Sequence, residues 1–66
     1  MKVEVNGDSV EVPEGSTVID LVGRFNLASA PYAVELNREV LPRARHREQT
    51  LVEGDRIEIV TLVGGG

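Results

Sequence analysis

The sequence predicts an α+β fold in which one main helix packs on one face of a mixed sheet of four to five strands. Three features indicate it: a hairpin-like pattern near the start, an apolar stripe at helical spacing after it, and a strand-like segment rich in isoleucine and valine near the end. The chain has 66 residues, of which 41% are hydrophobic and none is cysteine. A chain this short forms one small domain, which without disulfides must be held by packing and backbone pairing.

The first two strands are predicted on either side of the pair Asn6-Gly7. Valine alternates with polar residues before and after this pair, as expected for strands that bury one face. The alternating residues are Val3, Val5, Val10 and Val12. Because Asn-Gly readily adopts the positive φ values of a type I′ turn, the segment is predicted to be a β-hairpin.

A helix is predicted next, with Ser16 or Thr17 as its N-cap and Asp20 near the positive end of its dipole. Four apolar residues fall at i, i+3, i+4 and i+7 and would form its buried stripe. They are Val18, Leu21, Val22 and Phe25. The helix is expected to end at Asn26. Gly23 costs about 1 kcal/mol relative to alanine in a helix, so the helix either packs closely at that residue or is weak.

Two more strands are predicted in the middle of the chain. An alternating segment begins at Tyr32 and ends at Leu36. Val40 and Leu41 then suffice only for an edge strand, and Pro42 ends it because proline cannot donate to a ladder.

The last strand is predicted to begin at Arg56, after a Glu-Gly-Asp turn at residues 53–55. Its apolar residues are Ile57 and Ile59 on one face and Val60 and Leu62 on the other. A strand that is apolar on both faces is typical of the middle of a sheet. The simplest closure sets it parallel to the first strand, with a right-handed crossover through the helix, which is the ubiquitin-like β-grasp arrangement. Residues 1–63 would form this domain, and residues 64–66 a flexible tail.

The tail consists of Gly64, Gly65 and Gly66. Glycine has no Cβ, so such a tail can enter a channel too narrow for other residues and deliver its terminal carboxylate to another protein's active site. Three glycines taken alone also fit a frayed end or an expression remnant.

Charge and hydropathy limit the possible partners. The net charge of −4 disfavours nucleic acid, which requires clustered cations, and favours a partner with a basic docking surface. The chain shows no long apolar run and no charged-then-apolar leader, so neither a membrane span nor secretion is expected, and a cytoplasmic location is the default.

A short basic cluster interrupts the acidic chain. It comprises Arg43, Arg45, His46 and Arg47. One interpretation is that the cluster contacts a partner protein or a phosphate group. The favoured interpretation is a solvent-exposed turn whose arginines pair loosely with acidic residues. The available acidic partners are Glu39, Glu48 and Glu53. In either case the single histidine is expected to be exposed.

Several motifs occur together along the whole chain. They are the start at residues 1–7, the Asn-Arg-Glu-Val-Leu-Pro-Arg passage at residues 37–43, the turn at residues 53–55 and the glycines at residues 64–66. In this combination the chain resembles the ThiS family of sulfur carriers in thiamine biosynthesis. The related MoaD carriers of molybdenum-cofactor synthesis share the fold and tail but tend to be longer.

The resemblance implies a chemistry that centres on Gly66. A ThiF-like E1 enzyme would use ATP and magnesium to adenylate its carboxylate. Sulfur from a cysteine desulfurase route would then displace AMP, and a ThiG-like thiazole synthase would consume the resulting thiocarboxylate. The chain itself would hold no cofactor or metal. It is not expected to be an enzyme, because its histidine has no cysteine or other plausible catalytic partner.

The surface beside the tail is the predicted partner-binding site. Its candidates are Val60, Leu62 and Val63, with Arg43 and Arg45 in a polar rim. The alternative is that the chain's own short elements cover the side chains of Val60 and Leu62, in which case these residues belong to the core. Three other functions remain open: sulfur transfer to molybdopterin or tRNA, conjugation to target lysines as a ubiquitin-like modifier, and non-covalent binding as a β-grasp module.

Overall fold

The computed structural model describes residues 1–27 and 31–61. Within them five strands form one mixed sheet in the order β2-β1-β5-β3-β4. The elements are β1 (Lys2–Val5), β2 (Asp8–Glu11), α1 (Val18–Arg24), β3 (Tyr32–Leu36), β4 (Glu39–Leu41), a 3₁₀ turn η1 (Arg43–Arg45) and β5 (Arg56–Thr61). The last strand lies in the middle, parallel to β1 and antiparallel to β3, which confirms the predicted β-grasp arrangement. No helix in the described part of the chain is long and apolar enough to cross a bilayer.

Both hairpins turn through residues with positive φ. Asn6 and Gly7 have φ values of 51° and 90°, as predicted for a type I′ turn between β1 and β2. Asn37 and Arg38 have φ values of 51° and 72° between β3 and β4, so the second hairpin repeats the pattern. Asparagine adopts this region more readily than most residues, which explains its place at the first position of each turn.

The helix begins at the predicted cap and ends at the predicted stop, Asn26. Thr17 is the N-cap: its hydroxyl accepts from Asp20 N at 3.3 Å, and the Asp20 carboxylate accepts from Thr17 N at 3.0 Å. The helix then runs for only 7 residues. Gly23 has open space where a Cβ would lie, so close packing does not explain it, and the interpretation as a weak helix stands.

The prediction that Phe25 belongs to the buried stripe is wrong. Its side chain is 42% exposed, because Asn26 at φ 59° turns the chain out of the helix directly after it. Asn26 N donates to Gly23 O at 3.1 Å and Leu27 N to Val22 O at 3.3 Å. These two bonds form a Schellman motif, the usual way in which a helix ends at a residue in the left-handed region.

The core lies between α1 and one face of the sheet. Its buried apolar members are Val3, Val5, Val12, Val18, Leu21, Val22, Tyr32, Val34, Leu51, Ile57 and Ile59. The central strand β5 contributes Ile57, which is fully buried, and Ile59. Val60 points to the opposite face and is 56% exposed, so of the two alternatives left open for it, coverage by the chain's own elements is wrong.

The prediction that His46 is exposed is also wrong, since only 2% of it is accessible. The 3₁₀ turn η1 directs it inward, where its ring stacks on Tyr32 at 5.6 Å between centroids. Its Nε2 lies 2.9 Å from Leu41 O, and because a carbonyl oxygen only accepts, Nε2 carries the proton. Its Nδ1 faces the Tyr32 hydroxyl at 3.4 Å, and its backbone carbonyl accepts from Ile19 N at 3.0 Å.

Candidate functional site

The candidate site is the end of the sheet at which β5 finishes, here named the tail end. Tyr32 of β3 pairs with Thr61, and Val5 of β1 pairs with Ile57. The start of β3 and the β1–β2 turn therefore lie at this same end. The residues on which the predicted chemistry depends, Leu62, Val63, Gly64, Gly65 and Gly66, lie outside the described residues.

Asn6 holds one edge of β5 at the tail end. Its side-chain Oδ1 accepts from Ile59 N at 2.8 Å, and its Nδ2 donates to Ile59 O at 3.2 Å. The backbone of β1 makes its last bond to β5 through Asn6 N and Ile57 O, at 2.9 Å. The side-chain amide thus continues the ladder by two residues, from Ile57 to Ile59, after β1 turns away. Sequence reasoning found Asn6 as a turn residue and missed this contact, because nothing local indicates it.

A cluster of three side chains lies on the helix side of the tail end. Tyr32 is buried at the centre, with the His46 ring stacked on it. The guanidinium carbon of Arg43 lies 4.4 Å from the centroid of the Tyr32 ring, which is a cation–π contact. Arg43, a predicted rim residue, is therefore positioned beside the strand that pairs with Thr61. Its exposed charge therefore lies on the helix side of the sheet, beside the residue that pairs with Thr61.

The two other arginines of the basic cluster are exposed, but they do not form the expected ion pairs. Arg45 and Arg47 lie on the surface. Among the described residues the only ion pair joins Arg56 and Glu4, at 3.2 Å. The predicted loose pairing with the nearby glutamates does not form, so the basic cluster presents its positive charge to solvent.

An apolar patch lies on the sheet face that points away from the helix. We name it the outer patch and define it as Ala33, Val40 and Val60. Ala33 pairs directly with Val60, and Val40 lies opposite Glu35 on the neighbouring strand. Glu35 pairs in turn with Glu58, which sets two carboxylates side by side next to the patch. Like charges in direct register repel each other, so a partner that supplies a cation there would relieve the repulsion.

A groove of about 370 Å³ opens on the helix side of the tail end. Phe25 and Leu27 form one wall, and Asn6 and Asp8 of the hairpin form the other. Thr61 lies within the lining, so the groove reaches the last described residue of β5.

Comparison with known proteins gives consistent results. The matching family model is that of the ThiS family and covers residues 2–66. The sulfur carrier protein ThiS of Bacillus subtilis (strain 168) is 35% identical over 65 residues, which are 97% of this chain and 98% of that protein. A thiazole synthase of Paramagnetospirillum magneticum is 35% identical over 66 residues, and the chain spans only 20% of its length.

The fold leads to the same family. The crystal structure of the thiamine biosynthesis protein ThiS from Geobacter metallireducens matches with a TM-score of 0.83 and 36% identity, over 100% of both chains. Sequence and structure thus agree along the full length of the chain, which belongs to the ThiS family.

Proposed function

We propose that the chain is a sulfur carrier for thiamine biosynthesis. In this proposal a ThiF-like E1 enzyme adenylates the carboxylate of Gly66, which then becomes a thiocarboxylate that donates sulfur for thiazole formation. The observation that carries the proposal is the end-to-end match with the Bacillus subtilis sulfur carrier, over 97% of this chain and 98% of that protein. Position 66 also falls within the family match.

The chemistry requires a partner that activates the carboxylate. A terminal carboxyl group has an ordinary pKa of about 3.5, so it is ionised at neutral pH and is a poor electrophile. One of its oxygens attacks the α-phosphate of ATP, pyrophosphate leaves, and an acyl adenylate forms. A sulfur nucleophile then attacks the carbonyl carbon and AMP leaves. The cations that stabilise these steps, Mg²⁺ included, belong to the activating enzyme, and this chain supplies the substrate group.

The chain itself acts as a carrier and not as a catalyst. His46 is its single histidine, and it is buried with its ring nitrogens facing Leu41 O and the Tyr32 hydroxyl. A base held in this way has no access to a substrate. The sequence contains no cysteine, so the transported sulfur would reside on the main-chain terminus.

Two surfaces at the tail end suit a partner. The outer patch offers exposed Val60 beside the paired carboxylates of Glu35 and Glu58, and the net charge is −4. Such a surface fits an apolar site with basic groups around it. Arg43 provides a separate cation on the other face of the sheet.

The matched thiazole synthase supports a ThiG-like partner. A segment equal to 20% of that protein is similar to all of this chain. Joining a carrier to the enzyme that uses it raises the effective concentration of one for the other. We infer that this chain meets the same class of enzyme by docking.

The decisive experiment is an intact-mass measurement. The chain is incubated with a ThiF-type enzyme, ATP, Mg²⁺, a cysteine desulfurase, cysteine and a thiol reductant, which cleaves the acyl disulfide formed by the desulfurase persulfide and so releases the thiocarboxylate. We expect a mass change equal to the exchange of one oxygen for sulfur, and its reversal on addition of a thiazole synthase with its substrates. A variant that lacks Gly65 and Gly66 is the control and should not change. An unmodified wild-type chain would overturn the proposal, and a ladder of covalent conjugates in a cell extract would favour a protein modifier.

A further inference from the structure

We propose that Asn6 is a positioning residue for the activation of Gly66, because its side-chain amide holds the end of the strand from which the tail continues. The inference rests on the proposed function. Asn6 touches neither ATP nor the reacting carboxylate, so it acts only through β5.

The edge that Asn6 covers would otherwise have no backbone partner from β1. The β1–β5 ladder includes bonds from Glu4 N to Asp55 O and from Asn6 N to Ile57 O, both at 2.9 Å, and the second of these is the nearer to the C-terminal end of β5. The chain then reverses at the hairpin turn. The Asn6 amide takes over at Ile59, with one bond to its N–H at 2.8 Å and one to its carbonyl at 3.2 Å.

These two bonds determine how far along β5 the strand is hydrogen-bonded on both of its edges. On the other edge, the pairing with β3 continues to Thr61 and Tyr32. With Asn6 in place, β5 is held from both sides as far as Ile59. Without it, two-sided support ends at Ile57, which is two residues further from Gly66. A reacting group held less firmly meets its partner in the productive orientation less often.

Asn37 provides a matched control. It occupies the same position in the second hairpin with the same φ of 51°. Its Nδ2 donates to Asp55 Oδ1 and its Oδ1 accepts from Arg56 N, both at 3.0 Å. It therefore makes two side-chain bonds to the first residue of β5 and its neighbour, at the end of the strand opposite the tail. Loss of Asn37 should destabilise the fold without affecting where the tail begins.

The test compares Asn6→Gly with Asn37→Gly, since glycine adopts φ near 50° without strain. For both variants we would measure urea unfolding, amide exchange at Ile59, and the steady-state release of pyrophosphate with a ThiF-type enzyme and ATP. Both variants should lose stability. Only Asn6→Gly should accelerate exchange at Ile59 and lower kcat/KM, by about fivefold, which corresponds to one typical hydrogen bond.

Equal kinetics for Asn6→Gly and Asn37→Gly, with a reactive wild type, would overturn this inference alone. An unreactive wild type would overturn the proposed function and this inference with it. If Asn6→Gly does not fold, Asn6→Asp and Asn37→Asp provide the comparison. Asn6→Asp keeps the acceptor for Ile59 N and replaces the donor to Ile59 O with a repelling oxygen, so it should react more slowly than Asn37→Asp. Equal rates in that pair would also refute the role.

Discussion

Val60→Thr should weaken binding to the activating enzyme while the fold remains intact. Val60 lies in the outer patch and is 56% exposed, so it contributes little to the core. Threonine keeps the branched shape and the preference for strands, and in the free protein its hydroxyl stays in water. We therefore expect the free energy of unfolding to change by no more than about 0.5 kcal/mol.

The expected loss of binding free energy follows from the burial of the side chain at position 60 by the activating enzyme. Replacing one methyl group removes about 0.8 kcal/mol of apolar burial. A hydroxyl buried against an apolar partner surface without a hydrogen bond costs about 1 kcal/mol more. The sum is about 2 kcal/mol, which corresponds to an increase in Kd of about 30-fold.

Val52→Thr is the matched control. Val52 is 59% exposed, close to the value for Val60, but it precedes the turn at residues 53–55, at the end of the sheet opposite the tail. Calorimetric titration of each variant with a ThiF-type enzyme gives Kd, and urea unfolding gives stability. If the two variants bind equally well, or if Val60→Thr unfolds the protein, the assignment of the outer patch as a docking surface is wrong.

Three further changes test other parts of the structure. Thr17→Ala removes the capping box and should lower the free energy of unfolding by about 1 kcal/mol in urea; no change would mean that the cap adds nothing to this short helix. His46→Ala removes the hydrogen bond to Leu41 O and leaves a void beside Tyr32, so we expect a loss of about 2–4 kcal/mol in the same assay. A loss below about 0.5 kcal/mol would contradict the buried position. Arg43→Ala should slow adenylation by about threefold at low salt and hardly at all at high salt. An equal effect at both salt concentrations would assign Arg43 to packing alone.

The sequence predicts those parts of the fold that depend on local chemistry or on simple periodicity. The Asn6-Gly7 turn follows from backbone preference, and the helix start at Thr17 follows from capping. The central place of β5 follows from apolar residues on both of its faces. In each case the information lies within a few residues of the element, or in its own alternation pattern.

The failures arise where distant residues determine the outcome. His46 stands among arginines, which indicates an exposed turn, yet its burial depends on Tyr32, which is 14 residues away, and on Leu41. Phe25 is the exception, because it continues a helical period that the adjacent residue Asn26 interrupts by its own backbone preference. At the candidate site, the alternation of β5 predicts that Val60 lies on the face opposite Ile57 and Ile59, but it leaves open whether Val60 is covered. The hydrogen bonds from Asn6 to Ile59 join residues 53 positions apart, and no local sequence pattern predicts them.

The central position of β5 has a mechanical consequence. Hydrogen bonds between strands run across the strand direction, so a pull along β5 from its C-terminal side loads both ladders in shear, and the bonds must yield together instead of opening singly. A terminal strand at the edge of the sheet would have only one ladder to resist the same force. We therefore expect the folded body to withstand traction on its last residues, so that a catalyst can grip and draw in the end of the chain without unravelling the domain behind it.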